Sequence, residues 1–193
     1  MLFRVFRAVD GAPPSERGGA LHVPRDRQGS GRHDSPGRYG AFYAARSSEA
    51  AVAEVIQAFR GRDLEADDLV AADGSPLALA RLEDDALGPL TDLDEPAILV
   101  DHAWRPSAVA SRSRAVTQPM AARLFDDGAA GLSWWSTLDA AWTNVTLFAE
   151  RAIARGDITV ASVEALTLSH PAVVAAADHL AILTSTRRRR RRR

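Results

Sequence analysis

The stretch Tyr39-Gly-Ala-Phe-Tyr43-Ala-Ala-Arg46-Ser-Ser-Glu49-Ala-Ala-Val-Ala-Glu54-Val-Ile-Gln-Ala-Phe59 changes its character halfway along. Residues 41–45 are short, apolar and aromatic, which suits a buried strand. Arg46-Ser47-Ser48-Glu49 then reads as a helix start: a serine can cap free backbone N–H groups, and Glu49 complements the dipole of the first turn. The helix is expected to run to about residue 59, with Val52, Val55, Ile56 and Phe59 on one apolar stripe, and Gly61 to close it.

Working outward, residues 2–9 read as an opening strand and 11–40 as an irregular segment rich in Gly, Pro, Arg and Asp. Irregular segments of that length in a compact domain are functional or disordered, and ordered residues resume at once, so a functional role is expected. Downstream, 77–82 and 87–93 suggest short strands among turns, and 97–100 suggests another. Residues 117–125 read as a helix with Pro119 in its first turn, where a missing N–H costs little. Residues 131–136 and 144–148 read as strands, and 162–168 and 171–183 as helices. The mixture is α+β, in one domain.

The chain has 193 residues and no cysteine, which excludes disulfides, thiolate metal sites and a cysteine nucleophile. It has no lysine either, so no Schiff base and no Walker-type lysine can operate. No leader sequence and no run of about 18 apolar residues is visible, so a cytoplasmic protein without a membrane span is expected. Seven arginines close the chain at 187–193, and residues 1–186 carry a net charge of −8. An acidic body argues against general nucleic-acid binding by the folded part. The histidines show no metal-ligand spacing, and no metal is expected.

Two clusters carry chemistry. The first is Gly31-Arg32-His33-Asp34 with Tyr43 and Glu54. An arginine fork suits a pyrophosphate, a tyrosine ring offers a stacking face, and a carboxylate stabilises an oxocarbenium-like centre. By periodicity alone Glu54 is a solvent-facing helix residue and Tyr43 a core residue, while Arg32 is a solvated charge beside Arg25, Arg27 and Arg38. The second is Gly131-Leu-Ser-Trp-Trp-Ser136 followed by Trp142 and Asn144, an aromatic pocket or an aromatic core on equal terms.

Taken in order, these pieces resemble the RES domain. The resemblance rests on Leu2-Phe3-Arg4-Val5, Gly31-Arg32, the Tyr43 strand, the Glu54 helix, Gly131 to Ser136, and Asn144-Val-Thr-Leu-Phe148. It implies a single ADP-ribosyltransferase-like domain with a small mixed sheet flanked by helices. It also implies an NAD⁺-degrading enzyme, a phosphorylase or glycohydrolase, that is the toxin of a toxin–antitoxin pair. Carried residue by residue, Glu54, Arg32 and Tyr43 would be catalytic. Arg32, Tyr43, Ser136, Asn144 and Arg4 would bind NAD⁺ as substrate, with inorganic phosphate as a candidate co-substrate.

The partner implied is a helix-turn-helix (Xre-like) antitoxin, with a homo-oligomer left open. The expected boundaries are a catalytic domain at 1–160, a helical extension packed on it at 161–184 and a disordered arginine tail at 185–193. Two other functions stay open: a protein ADP-ribosyltransferase using the same residues, and a non-catalytic binding module whose arginine tail contacts nucleic acid.

Overall fold

The protein is described by a computed structural model over residues 1–71 and 73–185. The expected tail lies outside these residues except Ser185, which is in a strand. In chain order the structure opens with β1 (Leu2–Arg7), β2 (Ala41–Ala45), α1 (Ser48–Ile56), β3 (Leu64–Glu65), β4 (Leu77–Glu83) and β5 (Thr91–Asp92). Three helices follow, α2 (Pro96–Asp101), α3 (Pro106–Val109) and α4 (Arg114–Asp126). The chain continues through β6 (Gly131–Trp135), β7 (Thr143–Phe148), α5 (Ala149–Ala152), β8 (Thr159–Ala165), α6 (Pro171–His179) and β9 (Thr184–Ser185).

Seven strands form one sheet in the order β5-β6-β7-β2-β1-β4-β8. All neighbours run antiparallel except β5 and β6, so the sheet is mixed, as the resemblance to the RES domain implies. Strands β3 and β9 form a separate parallel pair.

Register decides which residues share a face. Ala45 stands opposite both Phe3 and Asn144, Tyr43 opposite Thr146, and Trp134 opposite Asn144. Side chains alternate across a strand, so Phe3, Tyr43, Trp134, Asn144 and Thr146 all project from one face. Leu2, Phe42, Ala80, Leu82, Val145 and Leu147 project from the other and form a core closed by Ala20, Leu21 and Ile158.

The first face carries two cores. In one, α1 and α6 pack together over Ala45 and Leu79. In the other, Leu99, Met120, Ala121 and Leu124 of α2 and α4 pack over Leu132 and Phe148. A gap between them is left on the same side of the sheet.

The strand-to-helix reading of 41–59 holds closely: Ser47 caps α1 by accepting the Ala50 N–H at 3.1 Å, and a 3₁₀ turn over Gln57–Phe59 follows. Val55 departs from the expected stripe. It is 37% exposed, and the buried positions are Ala50, Ala51, Val52, Ala53 and Ile56.

Other expectations are corrected. Residues 97–100 are helical, in α2, because Glu95 accepts the Ala97 N–H and Pro96 occupies the first turn. Helix α4 starts at Arg114, which puts Pro119 in its interior rather than its first turn. Of 87–93 only Thr91–Asp92 is a strand. Residues 159–165 are β8, an edge strand of the main sheet, where a helix over 162–168 was expected. The segment 161–184 is therefore not a wholly helical extension: its first part belongs to the sheet and α6 packs on α1 in the core. Helix α6 ends at His179, where Ala181 turns to φ 54°.

Candidate active site

The gap between the two cores is a cavity of about 480 Å³ whose wall includes Arg32, Tyr43, Glu54, Arg112, Arg114, Trp134 and Asn144. Glu54 reaches it because α1 lies across the sheet on its alanine-rich side, where small residues allow close approach. Its Oε1 accepts the Ser136 hydroxyl at 2.8 Å and the Asn144 amide at 2.7 Å. Its Oε2 accepts the Gln57 amide at 3.0 Å. Ser136 and Asn144 are buried, so the carboxylate is gripped from the protein side and faces the cavity with its remaining lone pairs. Glu54 is thus not the solvated helix residue that periodicity alone suggests.

Arg32 enters from the irregular segment. Its Nη1 donates to the carbonyls of Val109 at 2.8 Å and Ser111 at 2.7 Å, and its guanidinium lies 4.7 Å from the Trp134 ring centroid. Among the described residues, Nε and Nη2 have no hydrogen-bond partner within the protein. Burial lowers the pKa of Arg32, the Glu54 charge partly opposes this, and Arg114 and Arg112 push it further down. Three guanidiniums therefore share one cavity with one carboxylate.

Tyr43 stands on the sheet behind Arg32, but its hydroxyl is committed. It donates to Asp34 Oδ1 at 2.7 Å and accepts the His33 N–H at 2.9 Å. Burial, and then the bond to Asp34, raise its pKa well above the usual phenol range. Asp34 Oδ2 collects the N–H groups of Gly29 and Gly31, both at 2.7 Å. A Cβ at Gly31 would stand 2.5 Å from Asp34 Oδ1 and 2.6 Å from Tyr43 Oη, so only glycine fits this turn. The backbone that aims Arg32 is thereby pinned to Tyr43. Thr117 adds a bond from Oγ1 to the Arg32 carbonyl at 2.6 Å.

Behind this turn His33 is buried against Trp134 and its Nδ1 meets Thr146 Oγ1 at 2.9 Å. Burial, and secondarily the Arg32 charge, push its pKa down to about 3, so it is neutral.

The structure thus brings together Arg32, Tyr43, Glu54, Ser136 and Asn144. It separates the side chain of Arg4. Arg4 lies on the cavity wall as part of β1, but its guanidinium stacks 4.2 Å over Phe42, on the opposite sheet face from Tyr43. It donates to the carbonyls of Ala20 at 2.8 Å and His22 at 2.9 Å, tying the irregular segment to the sheet. Of the clustered tryptophans only Trp134 lines the cavity, while Trp142 packs against His179.

Sequence reasoning missed Gln57, Arg112 and Arg114. Gln57 sits three residues after Glu54, a spacing that does signal contact on a helix. The two arginines carry no local signal, because the α3–α4 turn meets the irregular segment only in the folded chain. Among the described residues no group of three or more His, Cys, Asp or Glu could hold a metal ion.

The family model described as the RES domain matches residues 1–169 of the chain. No curated protein matches by sequence. Among solved structures, the chain is similar to one in the M. tuberculosis MbcT–MbcA toxin–antitoxin complex, at 16% identity and a TM-score of 0.60, over 91% of this chain and 88% of that one. At that identity the likeness speaks for the fold.

Proposed function

The chain belongs to the RES domain family, and from that premise we propose that it cleaves the nicotinamide–ribose bond of NAD⁺. One observation carries the reading: Glu54 held by Ser136 and Asn144 at the wall of a cavity that also holds Arg32. When that bond breaks, its electron pair goes to the ring nitrogen and neutralises the pyridinium. Positive charge is left on the ribose. A carboxylate fixed nearby favours that charge over the ground state.

The three arginines supply the complementary half. NAD⁺ carries a diphosphate, and guanidinium forks match its oxygens. The donors on Arg32 Nε and Nη2 are available for it, while Arg112 and Arg114 add positive charge on the same wall. Tyr43 contributes its ring face rather than its proton, since its hydroxyl already serves Asp34 and His33. In the closing step an acceptor oxygen adds to the ribose carbon. Water loses a proton and gives ADP-ribose, whereas inorganic phosphate gives the phosphorylated sugar.

The related complex pairs a toxin with an antitoxin. We read this chain as the toxin of such a pair, acting on cytoplasmic NAD⁺ and restrained by an antitoxin of helix-turn-helix type.

The deciding experiment is NAD⁺ consumption by the purified protein with and without phosphate. Product identified as ADP-ribose or its phosphate supports the reading and separates hydrolysis from phosphorolysis. Label transferred from NAD⁺ to protein instead would make the chain a protein ADP-ribosyltransferase, and no loss of NAD⁺ at all would sink both.

A further inference from the structure

A second cavity, of about 620 Å³, opens where the irregular segment folds against β1, and Arg4, Arg7, Arg17 and Arg27 line it. Among the described residues none of these four arginines takes part in an ion pair. The carboxylates on the wall are Asp26 and Asp73; Asp73 accepts the Ser75 N–H at 3.1 Å and lies within electrostatic reach of Arg7, which leaves Arg17 and Arg27 as the cations to test. The lining is therefore positive in a body whose net charge over residues 1–186 is −8.

Arg7, Arg17 and Arg27 are exposed around the mouth of this cavity, where an anion drawn among their guanidinium groups gains charge-assisted hydrogen bonds. Arg4 is the one partly buried member of the four. Its bonds go to the neutral carbonyls of Ala20 and His22, and burial pushes its pKa down to about 10. Several guanidinium forks around one space suit an anion with oxygens in several directions, as a phosphate has, better than a planar carboxylate. The volume exceeds that of one phosphate group, and Phe6 and Val9 give part of the wall an apolar character.

We propose that this second cavity binds a phosphate-bearing small molecule, with its charged group among Arg7, Arg17 and Arg27. The site shares Arg4 and Val5 with the wall of the catalytic cavity but none of Arg32, Tyr43, Glu54 or Asn144. The assignment stands independently of the NAD⁺ reading.

The test is calorimetric titration of the full chain with pyrophosphate and, separately, with ATP. Four proteins are compared: wild type, Arg17→Gln/Arg27→Gln, Arg17→Lys/Arg27→Lys and Arg32→Gln. The glutamine pair should weaken binding at least about tenfold, because two charge-assisted contacts are lost. The lysine pair should retain most of it, and Arg32→Gln should lose only binding at the catalytic cavity while keeping the site that the glutamine pair removes. Binding of pyrophosphate alone marks a small inorganic anion as ligand, and binding of ATP as well marks a nucleotide.

The glutamine pair should also consume NAD⁺ with wild-type kcat and KM. Unchanged affinity in the glutamine pair, or loss only in Arg32→Gln, overturns the proposal. So does a raised KM for NAD⁺, which would make the cavity an arm of the substrate cleft. Thermal melting without ligand checks folding of each variant, and Arg7→Gln provides a second removal of charge should the pair unfold.

Discussion

The Asn144 side-chain amide donates to Glu54 Oε1 at 2.7 Å, joining the third sheet strand to the first helix across 90 positions of sequence. The Asn144 Oδ1 on the other side of the same amide is buried without a partner. Turned the other way, that oxygen would face the carboxylate and repel it, so Glu54 sets the orientation of Asn144 as much as Asn144 holds Glu54. With Ser136 on the same oxygen and Gln57 on the other, the carboxylate has one position relative to the sheet. An electrostatic group acts most strongly when it needs no reorganisation at the moment of reaction.

Replacing Glu54 by alanine should lower NAD⁺ consumption by about 10²–10³ while the protein stays folded. Product formation by liquid chromatography, alongside a melting curve, checks both halves. Wild-type turnover in Glu54→Ala would show that the charge of this carboxylate is not used.

Replacing Asn144 by alanine removes one of the two bonds on Oε1 and should lower kcat by about ten- to hundredfold, the range expected for a bond to a charged group. The loss should fall on kcat more than on KM, since the amide acts through Glu54. An effect confined to KM would instead place Asn144 on the substrate.

Gly31→Ala should destabilise the fold by about 1–3 kcal/mol, because the added Cβ has no room between Asp34 and Tyr43. Tyr43→Phe should cost a similar about 1–3 kcal/mol by stripping Asp34 Oδ1 and the His33 N–H of their partner. Denaturant titration measures both. Stability unchanged in the two variants would dissociate the turn from the tyrosine.

Stability should fall as the pH drops below the ordinary histidine range. His33 is held neutral with a pKa of about 3, well below the 6.5 of a free imidazole. Between those values the unfolded chain binds a proton that the native protein refuses. Its contribution is therefore fully present above about pH 6.5 and is lost progressively toward pH 3. Melting temperature followed over this window should decline less steeply in His33→Asn. Parallel profiles for the two proteins would refute the assignment.

Local sequence was most legible where one segment does one job. The aromatic strand at 41–45, the Ser47 cap and the small residues of α1 were readable because each follows from neighbours within a turn or two. Readings failed where tertiary context overrode composition. Residues 162–168 read as a helix, yet the alternating Thr-Val-Ala-Ser-Val-Glu-Ala of 159–165 forms the sheet edge beside β4. The apolar run at 97–100 looks like a strand, yet its Glu95 cap and Pro96 start a helix.

For the site, the sequence by itself determined which residue types were available: an arginine behind Gly31, an aromatic strand, a glutamate on a small-residue helix and an amide far downstream. It could not say that Glu54 points inward, because helical periodicity assigns that side to solvent. Register decided it: Ala45 opposite Asn144 and Trp134 opposite Asn144 bring β2, β7 and β6 into line beneath α1. The same alternation sent the guanidinium of Arg4 to the other face. The turn that brings Arg112 and Arg114 beside Arg32 is likewise a product of packing, held by bonds from Arg32 to the Val109 and Ser111 carbonyls. Side chains within a turn of one another are set by local geometry, whereas those 80 or 90 positions apart in sequence meet only when the sheet pairs and its two cores close.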